Sequence, residues 1–184
     1  MNASAPQLAT ERLRLRRLTE DDAGLMLAIW NDPSFIRHVF DRGIRSEEAA
    51  LEAMRDGVLK HYAEHGFGPY RLSLKADDAV VGICGLLKRE NLEHPDIGYA
   101  LLPDWRGQGY ALEAARAVVA HAGEAMKLGK ISAIVSPGHK RSIALLEKLG
   151  MVRNGTVRMP GDDEDLLLFE LDLAAAQPGS RAPQ

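Results

Sequence analysis

Leu101-Leu102-Pro103-Asp104-Trp105-Arg106-Gly107-Gln108-Gly109-Tyr110-Ala111 is the stretch that decides the fold. Ahead of it, Ile97 to Leu102 is an apolar run stopped by Pro103, which cannot donate to a central ladder. Behind it, Tyr110 to Met126 is Ala-rich, with Leu112, Ala115, Val118, Val119 and Ala122 at helical spacing. The pattern predicts a strand, a glycine turn and a long helix. A helix start presents about four backbone N–H groups without intrahelical partners, and glycines just before it let a phosphate come close. A dinucleotide fingerprint would need a third glycine at position 112 and an acid about 20 residues on. This chain has Leu112 and no acid between Glu124 and Glu147. A phosphate loop ending in Gly-Lys-Ser/Thr is absent as well. Two readings stay open on these residues alone, a tight connection and an anion site.

Toward the C terminus, Ile131 to Val135 reads as a short buried strand, followed by a helix through Ile143, Leu145, Leu146 and Leu149 to Gly150. Strand, helix and strand in that order predict a parallel pair with a crossover. Met151 to Val157 and Leu166 to Leu173 predict a closing hairpin joined by the acidic turn from Gly161 to Asp165, and residues 174–184 an unstructured tail. Toward the N terminus, Leu13 and Leu15 alternate with arginines, a strand over 11–17. Thr19 and Asp22 resemble a capping box before a helix whose apolar face is Leu25, Met26, Ile29 and Trp30. Asn31-Asp32-Pro33 ends that helix and starts a short one, and Ser46 opens another that runs to about His65, before Gly66. Tyr70 to Leu74 and Val80 to Leu87 form a hairpin about Asp77-Asp78. These elements predict one α/β domain over residues 8–173.

Composition agrees with a single domain: 184 residues, 46% hydrophobic and 27% charged. Cys84 is alone, which excludes a disulfide framework. No apolar run approaches the roughly 20 residues that cross a bilayer, and Met1 to Thr10 has no signal-peptide pattern, so a cytoplasmic protein without membrane contact is expected. The net charge of −3 argues against nucleic acid as a partner. It hides an asymmetry, because residues 104–158 sum to +5 and the remainder to −8. A homodimer is compatible with all of this.

Arg106-Gly107-Gln108-Gly109-Tyr110-Ala111 resembles the R/Q-x-x-G-x-G/A acyl-CoA loop of the GNAT superfamily of N-acetyltransferases. The longer run from Ile97 to Ala114 is similar to the branch that includes the ribosomal-protein N-terminal acetyltransferases (RimJ/RimL-like). His139-Lys140-Arg141-Ser142-Ile143-Ala144-Leu145-Leu146-Glu147-Lys148-Leu149-Gly150-Met151 is similar to that branch's N-x-x-S-x-x-x-L-E-K-L-G-F/M, and Thr10 to Arg16 to its first strand. Two spaced blocks in the expected contexts are more specific than either alone. The resemblance implies a mixed, mostly antiparallel sheet of about seven strands, split between strands four (97–102) and five (131–135), with about four flanking helices. It implies acetyl-CoA as cosubstrate and no metal. The pantetheine arm would pair with backbone groups near Leu101 and Leu102, and the pyrophosphate with N–H groups of Arg106, Gly107, Gln108, Gly109, Tyr110 and Ala111. His139, in place of the family's asparagine, would contact the pantetheine, and Lys140 or Arg141 the ribose phosphate.

Transfer to a primary amine needs the neutral amine, which at pH 7 is about one in ten for an α-amine of pKa near 8. The family often carries a glutamate on strand four, and the matching acid here is Asp96. The tyrosine acid of many relatives is replaced by Leu146, which makes Ser142 the substitute, with an oxyanion donor expected around the Leu102 N–H. Trp30, Phe35, Phe40 and Tyr70 are candidate acceptor walls, and Asp162-Asp163-Glu164-Asp165 a candidate attractor of a cationic amine. Two other readings compete: an idle acyl-CoA-binding module, and a zinc hydrolase through His61-Tyr62-Ala63-Glu64-His65, which satisfies H-x-x-E-H at a helix end.

Overall fold

The alternation of Leu13 and Leu15 with arginines, and of Tyr70, Leu72 and Leu74 with Arg71 and Ser73, is realised in neighbouring strands that turn their apolar sides to one core. The structure, a computed structural model, describes residues 7–160 and 164–174. The tail expected over 174–184 thus lies almost wholly outside the described residues, as does the start of the acidic turn.

Eight strands form one sheet: β1 Leu8–Ala9, β2 Leu13–Arg17, β3 Pro69–Leu74, β4 Val80–Leu87, β5 Asp96–Leu101, β6 Lys130–Val135, β7 Val152–Val157 and β8 Leu166–Asp172, in the order β1-β2-β3-β4-β5-β6-β8-β7. Every neighbouring pair is antiparallel except β5 and β6. The expected seven strands become eight because β1 is only two residues long, too short for alternation to register. The helices are α1 Ala23–Trp30, α2 Pro33–His38, α3 Glu47–Met54, α4 Lys60–His65, α5 Tyr110–Glu124 and α6 Lys140–Lys148. A single π-turn, Arg55–Leu59, joins α3 to α4, so the segment read as one helix from Ser46 to His65 runs on through it. Ser46 Oγ accepts from the Ala49 N–H, and Gly66 at φ 78° ends the run.

The crossover through α5 sets β6 parallel to β5, but the two register at one rung only, Asp96 opposite Ser132, with the Ser132 N–H on the Pro95 carbonyl at 2.9 Å. Beyond that rung they part, which is the expected split. Tyr99 and Leu101 of β5 belong to the core under α5, whereas Ala100 packs with α1 and α3. The two apolar clusters therefore lie on opposite faces of β5. Asp22 anchors the N-terminal helices: it accepts two bonds from Arg16, at 2.7 and 2.8 Å, and one from the Thr19 N–H.

Gly85 sits where β4 passes β3. A Cβ there would lie 2.4 Å from the Gly68 carbonyl oxygen and 2.5 Å from Pro69 Cα, both backbone atoms that cannot rotate away. Gly85→Ala is therefore expected to cost about 1–3 kcal/mol, a fall in Tm of roughly 2–12 °C for a chain of this size. An unchanged thermal melt would show that the two strands separate freely at this point.

Candidate active site

Two cavities, about 720 and about 700 Å³, meet over β5. The first runs along the split and the start of α5, and the second lies between the sheet and the N-terminal helices. Phe35, His38, Tyr99, His139 and Ser142 line both.

At the first cavity the glycine turn is left-handed at both glycines, Gly107 at φ 77° and Gly109 at φ 85°. That conformation favours glycine and keeps the turn free of side chains. The first bond into α5 runs from the Glu113 N–H to the Gly109 carbonyl, so the N–H groups of residues 110–112 precede it. They have no helical acceptor, and Ala111 and Leu112 line the cavity with Gly107 and Gly109. Arg141 and Lys148 face the same space, and Lys148 was not singled out from the sequence. Lys140 is exposed and outside that lining.

Several residues of the loop serve the fold instead. The Tyr110 ring is buried, edge-on to Trp105 with centroids 6.1 Å apart and with the Arg12 guanidinium 4.3 Å above it. Only its backbone remains for a ligand. Gln108 donates its side-chain amide to the Asp104 carbonyl at 2.9 Å, and its own carbonyl accepts from Arg12 at 3.0 Å. Arg106 donates twice to the Leu101 carbonyl, at 3.0 and 2.8 Å, and once to Asp32 Oδ1 at 2.7 Å. Asp32 in turn caps α2 through the Ser34 and Phe35 N–H groups. Arg106 thus ties the end of β5 to α2, and its own N–H is held by the Pro103 carbonyl at 3.3 Å.

The expectation for Leu102 needs correction. Its N–H donates to the Val81 carbonyl at 3.0 Å and its carbonyl accepts from the Trp105 N–H at 3.1 Å, so its backbone has nothing to offer a ligand. Because backbone groups alternate along a strand, those of Tyr99 and Leu101 face β6 instead, where no rung follows Asp96–Ser132. The Leu101 carbonyl is engaged by Arg106, which leaves the Leu101 N–H directed into the gap.

At the junction the Ser142 and Tyr99 hydroxyls lie 2.7 Å apart. Burial pushes the Tyr99 phenol up to about 12, so it stays protonated. Leu146, at the position where many relatives carry a tyrosine acid, is core. Tyr99 stood in the Gly98-Tyr99 pair of the quoted motif, but its closeness to Ser142, across 43 positions, appears only in the fold. The His139 ring lies flat on His38, centroids 4.1 Å apart. Burial, then His38, Arg106 and Arg141, lower the His139 pKa and favour a neutral imidazole. Asp96, 2% exposed, lines the second cavity and accepts from Arg89 Nε at 2.9 Å. Burial raises its pKa, and the Arg89 charge opposes the rise.

Trp30 and Phe35 line the second cavity, as does exposed Phe40. Tyr70 does not: it is buried in the core on the face it shares with Leu72, where alternation along β3 places it, which corrects its expected role as an acceptor wall. Among the described residues, the charged groups lining this cavity are Arg42, Lys88 and Arg89 against Asp96. Asp162 and Asp163 lie outside the described residues, and Asp165 pairs with Arg158 at 2.8 Å. The His61 and His65 rings touch, centroids 4.4 Å apart, while His61 Nε2 accepts from the Lys88 N–H at 3.4 Å and Glu64 pairs with Lys60 at 3.7 Å. Packing and a surface ion pair account for all three residues of the H-x-x-E-H pattern.

The acetyltransferase (GNAT) domain family matches residues 12–152. YkkB of Bacillus subtilis (strain 168) is 32% identical over 161 residues, 86% of this chain and 91% of that protein. The N-acetyltransferase p20 of Bacillus licheniformis is 29% identical over 156 residues, 82% of this chain and 85% of its own length. Among solved structures, the acetyltransferase from Agrobacterium tumefaciens str. C58 matches with a TM-score of 0.76 and 26% identity, covering 93% of this chain and 96% of that one.

Proposed function

The chain belongs to the GNAT acetyltransferase family, and from that premise we propose that it carries an acetyl group from acetyl-CoA to a primary amine, protein-borne or small, by direct attack in a ternary complex. Residues 8–173 are the catalytic domain of this reading, acting in the cytoplasm, and the blocks 97–114 and 139–151 support the RimJ/RimL-like branch. Acetyl-CoA takes the first cavity, with its phosphates at the N–H groups that open α5 and beside Arg141 and Lys148. The unpaired edge of β5 at Tyr99 and Leu101 suits the pantetheine amides. The amine enters from the second cavity. One observation carries the reading: both cavities open onto the same pair of hydroxyls, Tyr99 and Ser142.

In the reaction the nitrogen lone pair forms a bond to the acetyl carbonyl carbon, and the C–S bond breaks as the tetrahedral adduct collapses. One proton leaves nitrogen and one reaches sulfur, so the sum is balanced. Asp96 is the base, through water; burial raises its pKa toward the working pH, and Arg89 opposes that rise. The Tyr99 N–H, further from the glycine turn along the same open edge, replaces Leu102 as the oxyanion donor. A thiol of pKa near 8.5 leaves readily, so its developing thiolate needs a donor more than a strong acid. The Tyr99 phenol, oriented by Ser142, is that donor.

The test is release of free thiol from acetyl-CoA over a panel of amines. The reading predicts release that depends on amine, with Tyr99→Phe lowering kcat by about 10²-fold and leaving the acetyl-CoA KM nearly unchanged. Acetyl-CoA binding with no release from any amine would instead establish the idle binding module, which the leucine at position 146 favours.

A further inference from the structure

The second cavity carries an unexpected charge for a site that receives amines. Arg42 lies at its rim with the guanidinium over two rings, 4.7 Å from the Trp30 centroid and 5.0 Å from that of Phe40. It has no carboxylate partner among the described residues, whereas Arg89, close enough to repel it, is paired with Asp96. Lys88 lines the same cavity, its ammonium held by the Leu92 and Glu93 carbonyls at 2.9 and 2.8 Å. Among the described residues of the lining, Arg42 is thus the cation left without a carboxylate, since Arg89 holds Asp96 and the Lys88 ammonium is taken by the Leu92 and Glu93 carbonyls. Desolvation, and then the Arg89 charge, lower the Arg42 pKa, while the side chain as a whole remains exposed, so that its donors are open to a ligand entering the cavity.

We propose that the acceptor is an amine that also carries a carboxylate, an amino acid with an apolar side chain, whose carboxylate is taken by Arg42 while its side chain lies on Trp30 and Phe35. This rests on the acetyl-transfer reading above and names the substrate class of the same site. The planar guanidinium offers two parallel donors that match a carboxylate, and the rings beneath hold it in place without consuming those donors. A cavity of about 700 Å³ suits a small molecule. A polyamine would bring further positive charge against Arg42, Arg89 and Lys88 and is disfavoured. The acidic remainder counted in the sequence is therefore not reproduced in the described lining of this cavity.

The experiment compares L-phenylalanine and L-methionine with their amides, with phenethylamine, with spermidine and with phosphoethanolamine, reading thiol release from acetyl-CoA. The amides have the more easily deprotonated amines, so chemistry alone would favour them. The proposal predicts kcat/KM at least about tenfold higher for the carboxylates. Arg42→Gln should raise the acceptor KM about 10- to 100-fold, the range expected of a hydrogen-bonded charge. The acetyl-CoA KM should stay put, and Arg42→Lys should fall between, keeping the charge without the fork. Equal or better turnover of the amides, of spermidine or of phosphoethanolamine overturns the proposal and leaves acetyl transfer standing, as does a carboxylate preference that survives in Arg42→Gln. If no amine is turned over, calorimetry on the CoA-loaded protein separates the cases. Amino-acid binding that Arg42→Gln weakens supports the site while refuting transfer, and absence of binding refutes both.

Discussion

Asp96→Asn lowers kcat/KM by on the order of 10²–10⁴-fold, the range of a positioned general base. Asparagine keeps the size of the side chain and can still accept from Arg89, but it cannot take a proton from the attacking amine. The acid limb of the kcat/KM profile in wild type should lie above the ordinary carboxylate range, because burial raises the Asp96 pKa, and that limb should vanish in the variant. Stability supplies an independent readout. The folded protein holds the Asp96 proton more tightly than the unfolded chain, so this group's contribution is greatest at acid pH. It is lost as pH rises from the ordinary value of 3.8 through the raised one. Asparagine removes that slope, and the melting temperature of the variant relative to wild type should climb from acid to neutral pH. Wild-type turnover by Asp96→Asn would assign the proton to another acceptor.

Arg106→Ala is expected to be the most damaging change at the cofactor side. It removes both donors from the Leu101 carbonyl and leaves Asp32, 6% exposed, without its cation. Breaking a buried pair from one side costs about 3–5 kcal/mol. Arg106 is 33% exposed, so the lower end, about 3 kcal/mol, is the appropriate figure. That corresponds to a fall in Tm of about 6–12 °C. The acetyl-CoA KM should rise with it, since α2, the end of β5 and the glycine turn lose their common tie. Adding Asp32→Asn should recover part of the loss by removing the uncompensated charge, and two strictly additive losses would show that the contact is not energetic.

The strand, glycine turn and long helix were legible because their determinants are local: Pro103 follows the end of β5, a left-handed turn favours Gly107 and Gly109, and the spacing of Ala115, Val118 and Ala122 sets the buried α5 face, whereas the split itself followed from the resemblance and not from periodicity. What escaped depends on contacts remote in the chain. Arg106 reads as a loop cation, yet its role is fixed by Asp32 and Leu101. Tyr99 gains its partner 43 residues away, and Leu102 lost its expected role to Val81 on the neighbouring strand. Tyr70 and Trp30 are both buried aromatics, and only the fold tells the core ring from the cavity wall. The charge of the second cavity was not legible either, because a count along the chain does not say which side chains the fold brings to its lining.

The most direct test of acetyl transfer at the meeting of the two cavities is a single turnover. The protein is loaded with acetyl-CoA, mixed with an amine, and the small molecules and the intact protein are weighed by mass spectrometry. Direct transfer predicts N-acetylated amine and free CoA in equal amounts, with the protein mass unchanged. An intact thioester after exposure to every amine, or an acetyl group left on the protein, would contradict it.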